Sequence, residues 1–181
     1  MEIKRIENVK VKVIEKDTNE AHSTAGVYEG RTVNGKAEGY GIYTYNNGTR
    51  YVGYWKNDLM HGSGTMEWNI GEKYTGYWEN GLKSGQGVYT WPDGESYSGY
   101  WKDDIKEGFG VYTWSDGEVY AGGWHLDVRH GHGIVSYADG EKVIGQWVND
   151  EKHGLSVYEK ANGEVITSNY DNGVLSDTQN L

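Results

Sequence analysis

Cysteine is missing from all 181 residues, which removes both a disulfide frame and a thiolate metal site. Proline and phenylalanine each occur once, so the aromatic side chains are almost all 8 Trp and 16 Tyr. Those two types suit half-buried surfaces with one wet edge better than a dry core. No apolar run is long enough to cross a bilayer as a helix. The opening residues MEIKRIENVKVKV also lack the apolar stretch of a signal peptide, so a cytoplasmic setting is expected. Basic residues are the minority, 17 Lys and Arg against 27 Asp and Glu, for a net charge of −10. Phosphate backbones and anionic lipids are held by clustered Lys and Arg, so nucleic acid is not an expected partner and anionic lipid is disfavoured. Neither a P-loop nor a nucleotide-binding fingerprint is present.

Glycine is abundant instead, at 28 residues and about twice its ordinary share, and its positions recur. Tyr97–Val119, YSGYWKDDIKEGFGVYTWSDGEV, is a clear copy of a unit 23 residues long. Tyr28, Tyr51, Tyr74, Tyr97 and Tyr120 each open a unit, and Val143 takes the tyrosine's place in the sixth. The series runs from Tyr28 to Val165 without insertion or deletion. A fixed period of this length marks a stacked-repeat architecture.

Within a unit the period is two. Tyr97, Gly99 and Trp101 share one face of a strand, with Ser98 and Tyr100 opposite. Gly110, Tyr112 and Trp114 share one face of the next strand. Lys102–Lys106 forms the first turn, and Ser115-Asp116-Gly117 forms the second, an Asp-Gly signal that predicts a β-hairpin. Glycine in mid-strand is costly unless another group approaches closely. Gly53, Gly76, Gly99, Gly122 and Gly145, with Gly64, Gly87, Gly110 and Gly133 on the partner strands, therefore predict a trough over which neighbouring rings lie flat.

Residues 1–27 stand outside the repeat, and Val9, Val11 and Val13 alternate with lysines as one capping strand. Residues 28–165 are the six units. Residues 166–181 read as a degenerate half-unit and polar tail that cap the other end.

The pattern Y-x-G-x-W-x-x-[GD]-x-x-x-G-x-G, followed by an aromatic strand and [DN]-G, resembles the MORN (membrane occupation and recognition nexus) repeat, most closely at residues 51–64, with His61 in its His-Gly-x-Gly step. The resemblance implies an all-β, elongated, single-layer, twisted antiparallel sheet of consecutive hairpins with an aromatic-lined groove. It further implies a non-catalytic scaffold or adaptor within a cytoskeletal, ciliary or membrane-junction assembly. A peripheral phospholipid-headgroup module is the alternative. The groove residues expected to hold a protein segment, an amphipathic helix with a basic rim, are Tyr51, Trp55, Tyr74, Trp78, Tyr89, Tyr97, Trp101, Tyr112, Tyr120 and Trp124. The family pattern is broken at Thr32, Gly123, Val143 and Ser156.

Other chemistry has a plainer reading. His125, His130, His132 and His153 fall in two neighbouring units, but equivalent columns stand about 9–10 Å apart, too far for a shared zinc ion. Neither a metal nor another cofactor is expected. Glu72, Glu95, Glu118, Glu141 and Glu164 form a column that reads as a solvated acidic edge. With no nucleophile–base pair in the sequence, an enzyme is not expected.

Overall fold

The computed structural model describes residues 5–7 and 26–180. Among these the chain forms fifteen strands and no helix, joined in chain order into one open antiparallel sheet of consecutive hairpins. Packing divides it into two units, Met1–Pro92 with Trp101–Asp104, and Asp93–Tyr100 with Ile105–Leu181.

The first unit holds β1 (Arg5–Glu7), β2 (Gly26–Val33), β3 (Lys36–Tyr45), β4 (Arg50–Lys56), β5 (Leu59–Glu67), β6 (Lys73–Glu79) and β7 (Leu82–Thr90). The residues of β8 (Ser96–Lys102) are divided between the units. The second unit holds β9 (Ile105–Thr113), β10 (Val119–His125), β11 (Val128–Ser136), β12 (Lys142–Val148), β13 (Glu151–Glu159), β14 (Val165–Asp171) and β15 (Val174–Asn180). Val9, Val11 and Val13, the expected capping strand, lie outside the described residues. A strand does lie against the first repeat: Arg5, Ile6 and Glu7 pair with Glu29, Tyr28 and Val27.

Two features of the hairpins follow from backbone conformation. The first turn of each repeat has two residues, both left-handed, as at Asn57 (φ 50°) and Asp58 (φ 70°). This is the geometry that matches the right-handed twist of flanking strands, and Asn, Asp and Gly supply it cheaply. Leu126 (φ 51°) fills the same place without such a side chain. The first glycine of each Gly-x-Gly is also left-handed, as at Gly62 (φ 68°). The β4–β5 register shifts opposite it, between Gly53 and Trp55, so this glycine closes a β-bulge.

The second glycines do a different job. In the first unit Gly41 pairs with Gly53, Gly53 with Gly64, Gly64 with Gly76 and Gly76 with Gly87. The result is a glycine row crossing the strands. A Cβ on Gly53 would stand 2.5 Å from the Tyr51 hydroxyl, and one on Gly76 would stand 2.6 Å from the Tyr74 ring. Each opening tyrosine thus lies flat across a glycine pair. In the second unit Tyr120 covers Gly122 and Gly133 in the same way. The row then ends: Val143 replaces the tyrosine, and Ser156 fills the vacated space, where a Cβ on Gly145 would meet its Oγ at 2.6 Å.

Candidate functional site

The inner face is built by a bond set that repeats. Each opening tyrosine donates its hydroxyl to the carbonyl three residues on: Tyr51 to Tyr54 and Tyr74 to Tyr77 at 3.0 Å, Tyr97 to Tyr100 at 3.1 Å, and Tyr120 to Gly123 at 3.0 Å. Each tryptophan donates its indole N–H to a glycine carbonyl of the preceding repeat: Trp55 to Gly41, Trp78 to Gly64 and Trp124 to Gly110 at 3.2 Å, and Trp101 to Gly87 at 3.3 Å. The tryptophan then meets two tyrosines edge to face. Trp78 has its centroid 5.5 Å from Tyr51 and 5.0 Å from Tyr74, and Trp124 stands 5.3 Å from Tyr97 and 5.4 Å from Tyr120.

The ten expected groove residues are therefore gathered on one face within each unit, but that face is closed. Tyr51, Tyr74, Tyr97 and Tyr120 have no exposure, and Trp55, Trp78, Trp101, Trp124 and Tyr89 have at most 7%. Only Tyr112 is half-buried. The expectation of an open aromatic trough is corrected on this point: the tryptophan of one repeat fills the space over the repeat before it.

Cations complete the cover, a feature not read from the sequence. The Lys83 ammonium lies 4.7 Å from the Trp101 ring and 4.9 Å from Tyr89, and Lys106 lies 4.4 Å from Trp124 and 5.1 Å from Tyr112. Such contacts are attractive because the ring face is negative. The glutamate column is also more than a solvated edge. Glu72 accepts the Tyr89 hydroxyl at 2.5 Å, Glu95 accepts that of Tyr112, and Glu141 takes Lys160 at 2.8 Å. Burial and then the Glu72 bond push the Tyr89 phenol well up.

Three of the five described histidines serve turns and pairs. His153 Nδ1 accepts the Asn172 N–H at 3.4 Å, the task Glu38 performs for Asn57 at 3.1 Å and Glu107 for Leu126 at 3.3 Å. His125 bonds Glu107 at 3.0 Å, and His132 bonds Gln146 at 3.2 Å. Among the described residues no group of three His, Asp or Glu is placed to hold a metal ion. No described helix is long and apolar enough to cross a membrane.

The outer face is the open one. In the first unit Tyr40, Tyr54 and Tyr77 are 59%, 51% and 44% exposed. Tyr40 pairs with Tyr54 across the strands, rings 5.6 Å apart and edge to face. The bulge glycines lie against this row, Gly62 beside Tyr54 and Gly85 beside Tyr77, and are glycine because of their left-handed backbone, φ 68° and 62°. Together with Val52, Thr65, Thr75 and Gln86 these tyrosines line a shallow groove of about 670 Å³, floored by Gly53, Gly64 and Gly76. A second groove, of about 620 Å³, lies on the second unit, where Phe109, Ile134, Ile144 and Leu155 are exposed. The alternation that located Tyr100 opposite Trp101 contained this face, but period two alone does not say which side closes.

Among solved structures, the chain is similar to the SAS-4 (dCPAP) TCP domain of Drosophila melanogaster, solved with a proline-rich motif of Ana2 (dSTIL), at 13% identity. The alignment covers 78% of this chain and 76% of that one with a TM-score of 0.48. The G-box domain of the microcephaly protein CPAP is 18% identical over 86% and 92% of the two chains, TM-score 0.38. The TCP10 domain of Danio rerio CPAP is 14% identical over 86% and 84%, TM-score 0.30. No curated protein matches the chain. The MORN repeat model matches residues 28–50, 51–73, 74–96, 97–119, 120–142 and 144–165, the repeats and extent found in the sequence. With the model covering most of its length, the chain belongs to the MORN repeat family.

Proposed function

We propose that the chain is a non-catalytic scaffold that holds an extended segment of a partner protein against the outer face of its first unit. The observation that carries this reading is the row of exposed Tyr40, Tyr54 and Tyr77 over a glycine floor. Large exposed apolar rings set around a groove are characteristic of binding surfaces, and tyrosine is a frequent anchor there. Equivalent side chains in successive repeats stand two strand spacings apart, about 9.6 Å. A polyproline II segment rises about 9.3 Å in three residues. Laid across the strands, it presents residues three apart to Tyr54 and Tyr77, with Tyr40 edge to face beside Tyr54, the mode by which proline-rich segments dock on aromatic rows. This occupant replaces the amphipathic helix expected for the inner face, because the inner face is filled. Cytoplasmic placement within a cytoskeletal or ciliary assembly is part of the proposal.

The test uses the full chain and labelled synthetic peptides with proline at every third position, read by fluorescence anisotropy. Tyr54→Ala and Tyr77→Ala are each expected to weaken binding about tenfold or more at an unchanged melting temperature. Unchanged affinity in both variants, or equal binding of a scrambled peptide lacking the period, would falsify the reading. If an amphipathic helical peptide binds in competition with the proline peptide and loses the same tyrosines, the scaffold stands and the segment's conformation is wrong.

A further inference from the structure

The outer face of the second unit has a different chemistry. The tyrosine column of the first unit, Tyr54 and Tyr77, has one further member in the second, Tyr100, and then becomes Gly123 and Gln146. Beyond Tyr100, 48% exposed, the apolar residues that line its groove are aliphatic apart from Phe109: Phe109 and Leu155 at 62%, Ile134 at 40% and Ile144 at 37%. Ile134 and Ile144 are directly paired across β11 and β12, and Phe109 stands opposite Gly123 with no side chain to cover it. These residues line the groove of about 620 Å³.

Charge distinguishes this face further. Residues 93–100 and 105–181 hold fourteen acidic residues against five basic ones, so a net −9 of the chain's −10 lies in this unit. The described remainder of the chain, residues 5–7, 26–92 and 101–104, holds nine acidic against eight basic residues. The acids mark both ends of the strands. Asp116, Asp139 and Glu164 lie at one end and Asp127, Asp150 and Asp171 at the other, all exposed. Three of the five bases are engaged away from these margins, and a fourth, Arg129, offsets the margin's Asp150. Lys106 lies over Trp124, Arg129 is paired with Asp150, Lys152 lies over Tyr158, and Lys160 is paired with Glu141. An apolar strip thus runs between two acidic margins.

We infer that this face docks a basic amphipathic helix of a partner protein. Its apolar stripe covers Phe109, Ile134, Ile144 and Leu155, and its Lys and Arg stand on both shoulders of the stripe. A helix fits this arrangement because it offers one apolar stripe with flanks on two sides, about 10–12 Å across. An extended strand presents its alternate residues toward the sheet and away from it, not to two lateral margins. The acidic margins set orientation and speed association more than they add affinity, and the long basic side chains reach outward while their stems cover apolar surface. This site is separate from the tyrosine row and does not depend on the reading of that row.

The experiment titrates the full chain with two synthetic helical peptides that share one apolar stripe, one with Lys and Arg on its shoulders and one with Glu. The basic peptide is expected to bind, with affinity falling as salt is raised from 50 to 300 mM, and the Glu peptide is expected not to bind. Ile144→Lys and, independently, the more exposed Leu155→Asp are expected to weaken the basic peptide at least tenfold without shifting the melting temperature. Tyr54→Ala and Tyr77→Ala are expected to leave it unchanged, which separates this site from the first. Equal binding of the two peptides overturns the inference, as does full binding by both variants. Self-association of the chain that Leu155→Asp abolishes also overturns it, because a second copy would then be the occupant.

Discussion

Val143 and Ser156 depart from the repeat together, and the side chains show why. Elsewhere a tyrosine ring lies over two glycines; here the ring is gone, and a serine side chain occupies the space beside Gly145. Val143→Tyr alone is expected to overpack this spot and cost about 1–3 kcal/mol. Combined with Ser156→Gly it is expected to recover most of that loss, a coupling of about 1 kcal/mol or more in denaturant titrations. Additive losses would show that the two positions are independent. At this scale much was readable from the sequence. The second glycines had to accommodate rings, and the structure places Tyr51 and Tyr74 over them. The first glycines were not explained, since a left-handed bulge residue such as Gly62 and a glycine needed for space look identical as letters. The cations over Trp101 and Trp124 were equally hidden, because Lys83 and Lys106 sit beside turn residues in an otherwise polar stretch.

The hairpin is the element that the period of two and the Asp-Gly turns specify. The alternation assigns residues to two faces but leaves undecided which face closes, because both carry rings: Tyr51 and Trp55 inward, Tyr54 outward. Closure depends on the indole of one repeat reaching the glycine carbonyl of the repeat before, a contact 14 residues back in the chain, as for Trp78 and Gly64. Removing Trp78 deletes that bond and two edge-to-face contacts, so Trp78→Ala is expected to cost about 3–5 kcal/mol. Trp147 touches Tyr120 at 5.3 Å but has Val143 in place of the second tyrosine. Its truncation is expected to cost about 1 kcal/mol less, the worth of one aromatic pair. Equal losses in urea melts would count against this ranking.

For the molecule as a whole, the buried phenols set an alkaline limit. Burial pushes Tyr28 and Tyr120 up from 10.0 to about 12, and Tyr51, Tyr74 and Tyr97 in the same direction. A phenol with the higher pKa in the folded chain keeps its proton more tightly there than when unfolded. Its stabilisation is complete below the unfolded value near pH 10 and is lost as pH rises through 10 to 12. The urea midpoint is expected to hold to about pH 9.5 and fall steeply above it; a flat profile to pH 12 contradicts the burial of these rings. The acidic surface, at −10, is expected to give no salt-sensitive binding to phosphatidylserine or phosphoinositide vesicles. Cosedimentation that vanishes at high salt would favour the headgroup alternative instead.

The two-residue turns also tie each hairpin to the one before, and the ties are unequal. Asp58 donates its N–H to the Ala37 carbonyl, and its carboxylate accepts the Ala37 N–H; Asp127 and Asp150 hold Lys106 and Arg129 by the same pair of hydrogen bonds. Gly81 has no carboxylate and holds Met60 by its N–H alone. Repeats that touch only their neighbours share a load in series. Under tension across its strands, the first unit is expected to part at the Met60–Gly81 seam. Gly81→Asp is expected to raise the lowest rupture force in single-molecule pulling, and an unchanged force would place the weak seam elsewhere. A scaffold under tension would then yield between fixed repeats, in steps, keeping the hairpins on either side intact while the seam opens and closes.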